Sequence, residues 1–188
     1  MSAYDPEQML NEALGALSTA DDWRSVIDSL SAPIYATDAE GAVTYWNQAC
    51  VDLAGRVPEL GRDHWCVTWQ LYTTSGEPMP HDECPMAEAI KERRQVRDQV
   101  AIALRPDGKR IAFRAYPTPL FDGDGVLTGA INMLVDVSDE QALSLATQAE
   151  RCRRLSGATF NREVCAMLDD MAVAYEQTAE QLSRNSRR

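Results

Sequence analysis

The sequence predicts an α+β fold, with one five-stranded antiparallel sheet between Ser31 and Val137 and helices on one face of it. Three observations predict it. Asp38-Ala39-Glu40-Gly41 joins two alternating apolar runs. Arg105-Pro106-Asp107-Gly108 and Asp122-Gly123-Asp124-Gly125 separate three more. A helix-like stretch lies between the two groups. Asp-Gly turns between alternating apolar runs mark antiparallel hairpins, so the order is strand, strand, helical middle, then three strands.

The chain of 188 residues divides into N-terminal amphipathic helices (1–30), a sheet domain (31–138) and a C-terminal helical hairpin (139–188). Its 45% hydrophobic content and four Trp suffice for a true core. A net charge of −11, spread along the chain, argues against a nucleic-acid partner. No apolar run is long enough to insert in a membrane, and MSAYDPEQ has no leader pattern, so a cytoplasmic location is expected. Five cysteines, an odd number, fit reduced thiols better than a disulfide framework.

In chain order, Asp5-Pro6 is a helix start, and Leu10, Ala13, Leu14 and Leu17 follow at helical spacing. Trp23, Val26, Ile27 and Leu30 form a second apolar set. These helices either cover the sheet or make a dimer interface through Leu10, Leu14 and Leu17. Alternation from Pro33 to Asp38 and from Val43 to Asn47 predicts two strands. Asn47 then caps a short helix that ends at Gly55. A turn-rich insertion at 73–80 precedes a helix from Met86 to Arg94. Ala142, Leu145, Ala149, Cys152 and Leu155 form a helical stripe ended by Gly157. Val164, Leu168, Met171, Tyr175, Thr178 and Leu182 follow at spacings of four and three, the seam of a helical hairpin. Ser183 to Arg188 reads as frayed.

From Thr37 to Gly55 the run TDAEGAVTYWNQACVDLAG resembles the opening of a PAS domain: strand, acidic-Gly turn, strand ending in Asn, short helix. The closing stretch, from Pro106 to Gln141, resembles the PAS end. There Gly129 precedes apolar residues in the last strand, and Asp136-Val137-Ser138 stands where the family exits into a signalling helix. The resemblance covers about residues 25–140. It implies a sensor or interaction module, not a catalyst. Such modules bind a small molecule between sheet and helices, or bind nothing and mediate dimers, and they usually serve an attached kinase, cyclase or DNA-binding domain. No such effector is visible in these residues.

The candidate sites are few. His64, Cys66, His81 and Cys84 supply the ligand types of a structural zinc site, although His64-Trp65-Cys66 is not an established zinc spacing. Gly61-Arg62-Asp63-His64-Trp65-Cys66 resembles the place where photosensory PAS domains carry a flavin-reactive cysteine. Here Val67-Thr68-Trp69-Gln70 follows in place of Arg-Phe-Leu-Gln, and the flavin-binding Asn pair is missing, so a flavin photoadduct is rejected. Cys84-Pro85 resembles the pair of haem-regulated proteins, but the helix after it has no His to ligate haem. A small-molecule pocket would be lined by Tyr35, Tyr45, Trp65, Trp69, Tyr72, Ile111, Phe113, Ile131 and Met133; the stronger reading of these is packed core. No Gly-x-Ser-x-Gly or His-Glu-x-x-His motif points to an enzyme.

The expectation is a non-catalytic adaptor, without a bound cofactor, that forms a homodimer. It modulates a signalling partner, with a sensor histidine kinase as the candidate, and Leu168, Met171 and Tyr175 lie in the contact. The competing expectation is a small-molecule, haem or metal sensor whose occupancy repositions the helices beyond Asp136, Val137 and Ser138.

Overall fold

A computed structural model describes residues 6–19 and 22–186, with side chains at 6–15 and 22–184. Two helices come first, α1 (Pro6–Thr19) and α2 (Trp23–Ser29). Strands β1 (Ile34–Asp38) and β2 (Val43–Trp46), helix α3 (Gln48–Ala54), and a short hairpin of β3 (Gln70–Tyr72) and β4 (Pro78–Met79) follow. A 3-10 turn at His81–Glu83 leads to α4 (Pro85–Glu92). Then come β5 (Gln99–Leu104), β6 (Arg110–Ala115), β7 (Thr118–Phe121) and β8 (Leu127–Asp136). Two long helices close the chain, α5 (Ser138–Ala158) and α6 (Arg162–Ser186).

The sheet runs β2-β1-β8-β6-β5-β3-β4, antiparallel throughout, and β7 also pairs with β8. The α+β antiparallel fold is as expected, with a larger strand count. Proline has no amide hydrogen for a ladder, and at Pro117 the expected fourth strand divides into β6 and β7. The stretch leading into the expected insertion forms β3, and the insertion itself supplies β4, at the edge of the sheet.

Both faces of the sheet are covered, not one. On the inner face, α3, α4 and the loop before β3 enclose Tyr35, Val43, Ile111, Phe113 and Leu134. On the outer face, α1 and α2 bring Leu10, Ala13 and Ile27 onto Ile34, Ala36, Tyr45, Ile131 and Met133. Beside them, α5 and α6 bring Ala142, Leu145, Ala179 and Leu182 onto Ile102 and Ala112. Leu10 is only 1% exposed. It belongs to the core of its own protomer and offers no dimer surface, because the sheet supplies the cover its apolar stripe requires. Leu14 packs against the same cluster, and Leu17 lies outside the described side chains.

Local sequence explains the joints. The Asn47 side chain caps α3 by accepting from the Cys50 amide, at 3.3 Å. The same oxygen accepts from the Ile34 amide, and its amide group donates to Ala32 O at 2.8 Å, so one residue ties α3 to the entry of β1. Gly129 on β8 is obligatory, since a Cβ there would sit 2.0 Å from Thr37 O on β1.

The C-terminal helices pack as an antiparallel hairpin whose seam differs from the expected one. Leu168, Ala172, Tyr175, Ala179 and Leu182 of α6 face Ala142, Leu145, Ala149 and Cys152 of α5. Val164 and Met171 are exposed. Small residues on both helices let the backbones approach closely, so alanines take seam positions that pattern alone assigns to larger side chains. Helix α5 continues through Gly157 to Ala158, and α6 reaches Ser186, past the frayed end expected from Ser183.

Candidate functional site

The chemistry of the fold concentrates at a buried polar centre on the inner face. Tyr35 and Asn132 are paired across β1 and β8, so their side chains share a face. The Tyr35 hydroxyl donates to Trp65 O at 2.9 Å and accepts from Asn132 Nδ2 at 3.1 Å. Asn132 Oδ1 accepts from the Tyr116 amide at 3.0 Å, at the break between β6 and β7. Cys66 Sγ lies 3.1 Å from Thr68 Oγ1, and the Cys84 thiol donates to Trp65 O at 3.7 Å. Tyr35, Asn132, Cys66, Thr68 and Cys84 are all buried.

Trp65 fixes the lid of this centre. Its φ is 67°, a left-handed conformation that is costly for a bulky residue. Its amide donates to Gly41 O at 2.7 Å, and its ring fills the space that a Cβ on Gly41 would occupy. The Lys91 ammonium sits over the ring, 5.6 Å from its centre.

Burial determines the protonation here. It pushes Tyr35 well above the ordinary tyrosine range, with the neighbouring Cys66 and Cys84 adding to the effect. It raises Cys66, and it raises Cys84 to about 12. Cys50, in the same cluster, is also pushed far up by burial. The three thiols are therefore neutral near pH 7, in an environment that disfavours the thiolate needed of a nucleophile or a metal ligand.

The proposed metal set does not converge. Cys66 and Cys84 point into the core, while His64 is exposed with Nδ1 3.0 Å from Arg62 O. His81 sits in the 3-10 turn, held below the usual histidine range mainly by burial, with Asp63 opposing that shift. Among the described residues, no three His, Cys, Asp or Glu side chains form a group able to hold a metal ion.

The proposed pocket set divides four ways. Tyr35, Ile111 and Phe113 lie on the inner face, with Trp65 packed against them. Tyr45, Ile131 and Met133 lie on the outer face beneath α1 and α2. There Tyr45 meets Trp23 edge-on at 4.9 Å, and its hydroxyl donates to Asp28. Tyr72 packs with the α5–α6 cluster, under the Arg110 guanidinium. Trp69 is half-exposed at the surface. Period-two alternation separates Ile131 and Met133 from Asn132, so they cannot line a cavity with Tyr35.

The exit from the sheet is clamped. The Val137 amide donates to Ala112 O at 2.9 Å, and the Ala112 amide donates to Ser138 Oγ at 3.1 Å. The Ser138 amide donates to Asp136 Oδ1 at 2.9 Å, and Arg114 of β6 pairs with Glu140 of α5 at 2.8 Å. Asp136, Val137 and Ser138 thus hold the start of α5 to the middle of β6. On β6, Ala112 is flanked by Ile111 and Phe113, which face the inner core.

A family model described as the PAS fold matches residues 27–142, well over half of the chain. The chain belongs to the PAS family. Its sheet, inner helices and clamped exit are therefore those of a signal-sensing module. No curated protein matches. Among solved structures, an RNA-binding light-oxygen-voltage receptor is 22% identical with a TM-score of 0.51, covering 80% of this chain and 41% of the receptor. The chain thus spans less than half of that receptor's length. The RsLOV d2 variant is 15% identical with a TM-score of 0.50, and 98% of each chain is covered. The Rhodobacter sphaeroides LOV protein is 13% identical with a TM-score of 0.47, covering 95% and 98%. The first two share the fold with this PAS chain. Among the described residues, no helix is long and apolar enough to cross a membrane.

Sequence reasoning missed Asn132, the hub of the buried centre, although an Asn inside the apolar run from Gly129 to Val135 was a visible signal. It also missed that Gly41 and Trp65 form one unit, because their contact depends on a left-handed Trp that no spacing rule indicates.

Proposed function

We propose that this PAS chain is a non-catalytic signalling adaptor of the cytoplasm, with a packed inner core, that acts by protein contact through its C-terminal hairpin. One observation carries the reading. The hairpin is clamped to β6 at Val137 and Ser138, yet its far end exposes Leu155, Phe160, Val164, Met167 and Met171. Clustered exposed apolar side chains mark interaction sites. A sensor histidine kinase is the candidate partner class. Chemical cross-linking in the native cells tests this. A partner recovered in stoichiometric yield supports the adaptor, and a chain that forms no cross-link to another protein refutes it.

A second reading has its own support. Thr37 Oγ1 and Trp46 Nε1 are buried without a hydrogen-bond partner, and unsatisfied buried polar atoms are costly. A small molecule on the inner face would satisfy them and bias the clamp at Ser138. Such a ligand acts only through its differential affinity for the two positions of the hairpin. The raised thiols weigh against zinc or haem held through Cys66 or Cys84.

A further inference from the structure

We propose that the far half of the hairpin is the seat for one amphipathic helix of another protein, acidic along one edge and basic along the other. This rests on the adaptor reading and adds the chemistry of the partner. Val164, Met167 and Met171 recur at spacings of three and four along α6. They lie about a quarter-turn from the seam residues Leu168, Ala172 and Tyr175. Leu155 occupies the corresponding side of α5, and all four are exposed. The stripe therefore runs along the groove between the two helices.

Charge specifies what fits. On the opposite side of the hairpin two ion pairs form within the chain. Arg153 grips Glu176 with two bonds, at 2.8 and 2.7 Å, and Arg184 pairs with Glu180. The stripe side differs. Arg151 and Arg154 flank it on α5, and Glu163 and Asp170 flank it on α6. Among the described residues, none of these four forms a salt bridge. A helix laid on Leu155, Val164, Met167 and Met171 would meet basic side chains along one edge and acidic ones along the other. Such complementarity fixes direction and register more than affinity.

A second copy of this chain fits poorly. The stripe lies on the side of the hairpin that packs on the sheet, as the Arg114–Glu140 pair and the burial of Leu182 show. Two hairpins stacked with their tips together would bring both PAS cores into the same space. Stacked with tips opposed, a two-fold axis sets α5 on α5 and α6 on α6. Arginines then face arginines and acids face acids, which is destabilising. An amphipathic helix with both charges avoids both conflicts.

The test is photo-cross-linking in the native cells, with a benzophenone side chain replacing Met167 in the full chain and, separately, Trp69 as a surface control. Circular dichroism confirms that each variant is folded. The expected result is an adduct from position 167 whose partner peptide has an apolar stripe with acids on one edge and bases on the other. Arg151→Asp with Arg154→Asp, or Glu163→Lys with Asp170→Lys, should each lower its yield about tenfold or more. Reversing the facing charges of the partner should restore it. The proposal is overturned by an adduct with a second copy, by yields indifferent to the charge reversals, or by a partner peptide without that pattern. Adducts from 167 that ignore the charge reversals overturn this partner chemistry and leave the adaptor reading intact. Adducts from Trp69 but not from 167 overturn contact through the hairpin as well. No adduct from either position defeats both.

Discussion

Replacing Ser138 with Ala probes the joint between sheet and hairpin. The hydroxyl is the acceptor for the Ala112 amide at 3.1 Å, and both residues are buried, Ala112 to 0% exposure. Alanine leaves that amide without the acceptor, in a place water does not reach. Leaving a buried donor unsatisfied costs about 1–3 kcal/mol. For a chain of this length that lowers Tm by roughly 3–9 °C. The loss is local in origin, so hydrogen exchange should separate it from general weakening. Amides in the first turn of α5 and in the middle of β6 should exchange about tenfold faster, or more, than in the parent. Ser138→Thr keeps the hydroxyl and should recover most of the stability. An unchanged Tm with unchanged exchange at β6 and α5 would refute the clamp, and with it the route by which the inner core reaches the hairpin.

Other expectations follow from the same structure. Leu10→Ala should cost about 2–5 kcal/mol in urea unfolding, as large-to-small changes in a core do; a dimer-interface role would instead weaken association and spare the protomer. Cys84 is an acid whose pKa burial raises from 9.0 to about 12. Unfolding therefore releases protons above pH 9, and the stability present below that pH is lost as pH rises through about 12. Tm measured from pH 7 to 10.5 should fall more steeply in the parent than in Cys84→Ala. Gly129→Ala, whose Cβ would meet Thr37 O at 2.0 Å, should cost about 3 kcal/mol or more by separating β1 from β8. Denaturation melts would read this directly, and a loss under about 1 kcal/mol would contradict the packing.

The strands, the caps and the exit were legible because each depends on neighbours in sequence. Asn47 caps α3 and Gly55 ends it, and Asp136-Val137-Ser138 marks where β8 becomes α5. What failed depended on what covers each face. Assuming a single covered face placed Ile131 and Met133 with Tyr35, although alternation sets them on opposite sides. The nearly unbroken apolar run of β8 was the available correction, since strands buried on both faces read that way. In α6 two stripes overlap. Size favoured Val164 and Met171 for the seam, but the small residues of α5 accept Ala172 and Ala179 instead. The metal set failed because residues adjacent in sequence need not face one place: Cys66 is in the core and His64 is outside it.

The central claim is a packed PAS core that signals by protein contact. Native mass spectrometry of the chain isolated from its own cells tests it most directly. The predicted protomer mass is 20.9 kDa with nothing small attached, free or together with a protein partner. A stoichiometric added mass of a small molecule, haem or zinc on the folded protomer would contradict the claim and establish the inner face as a ligand site.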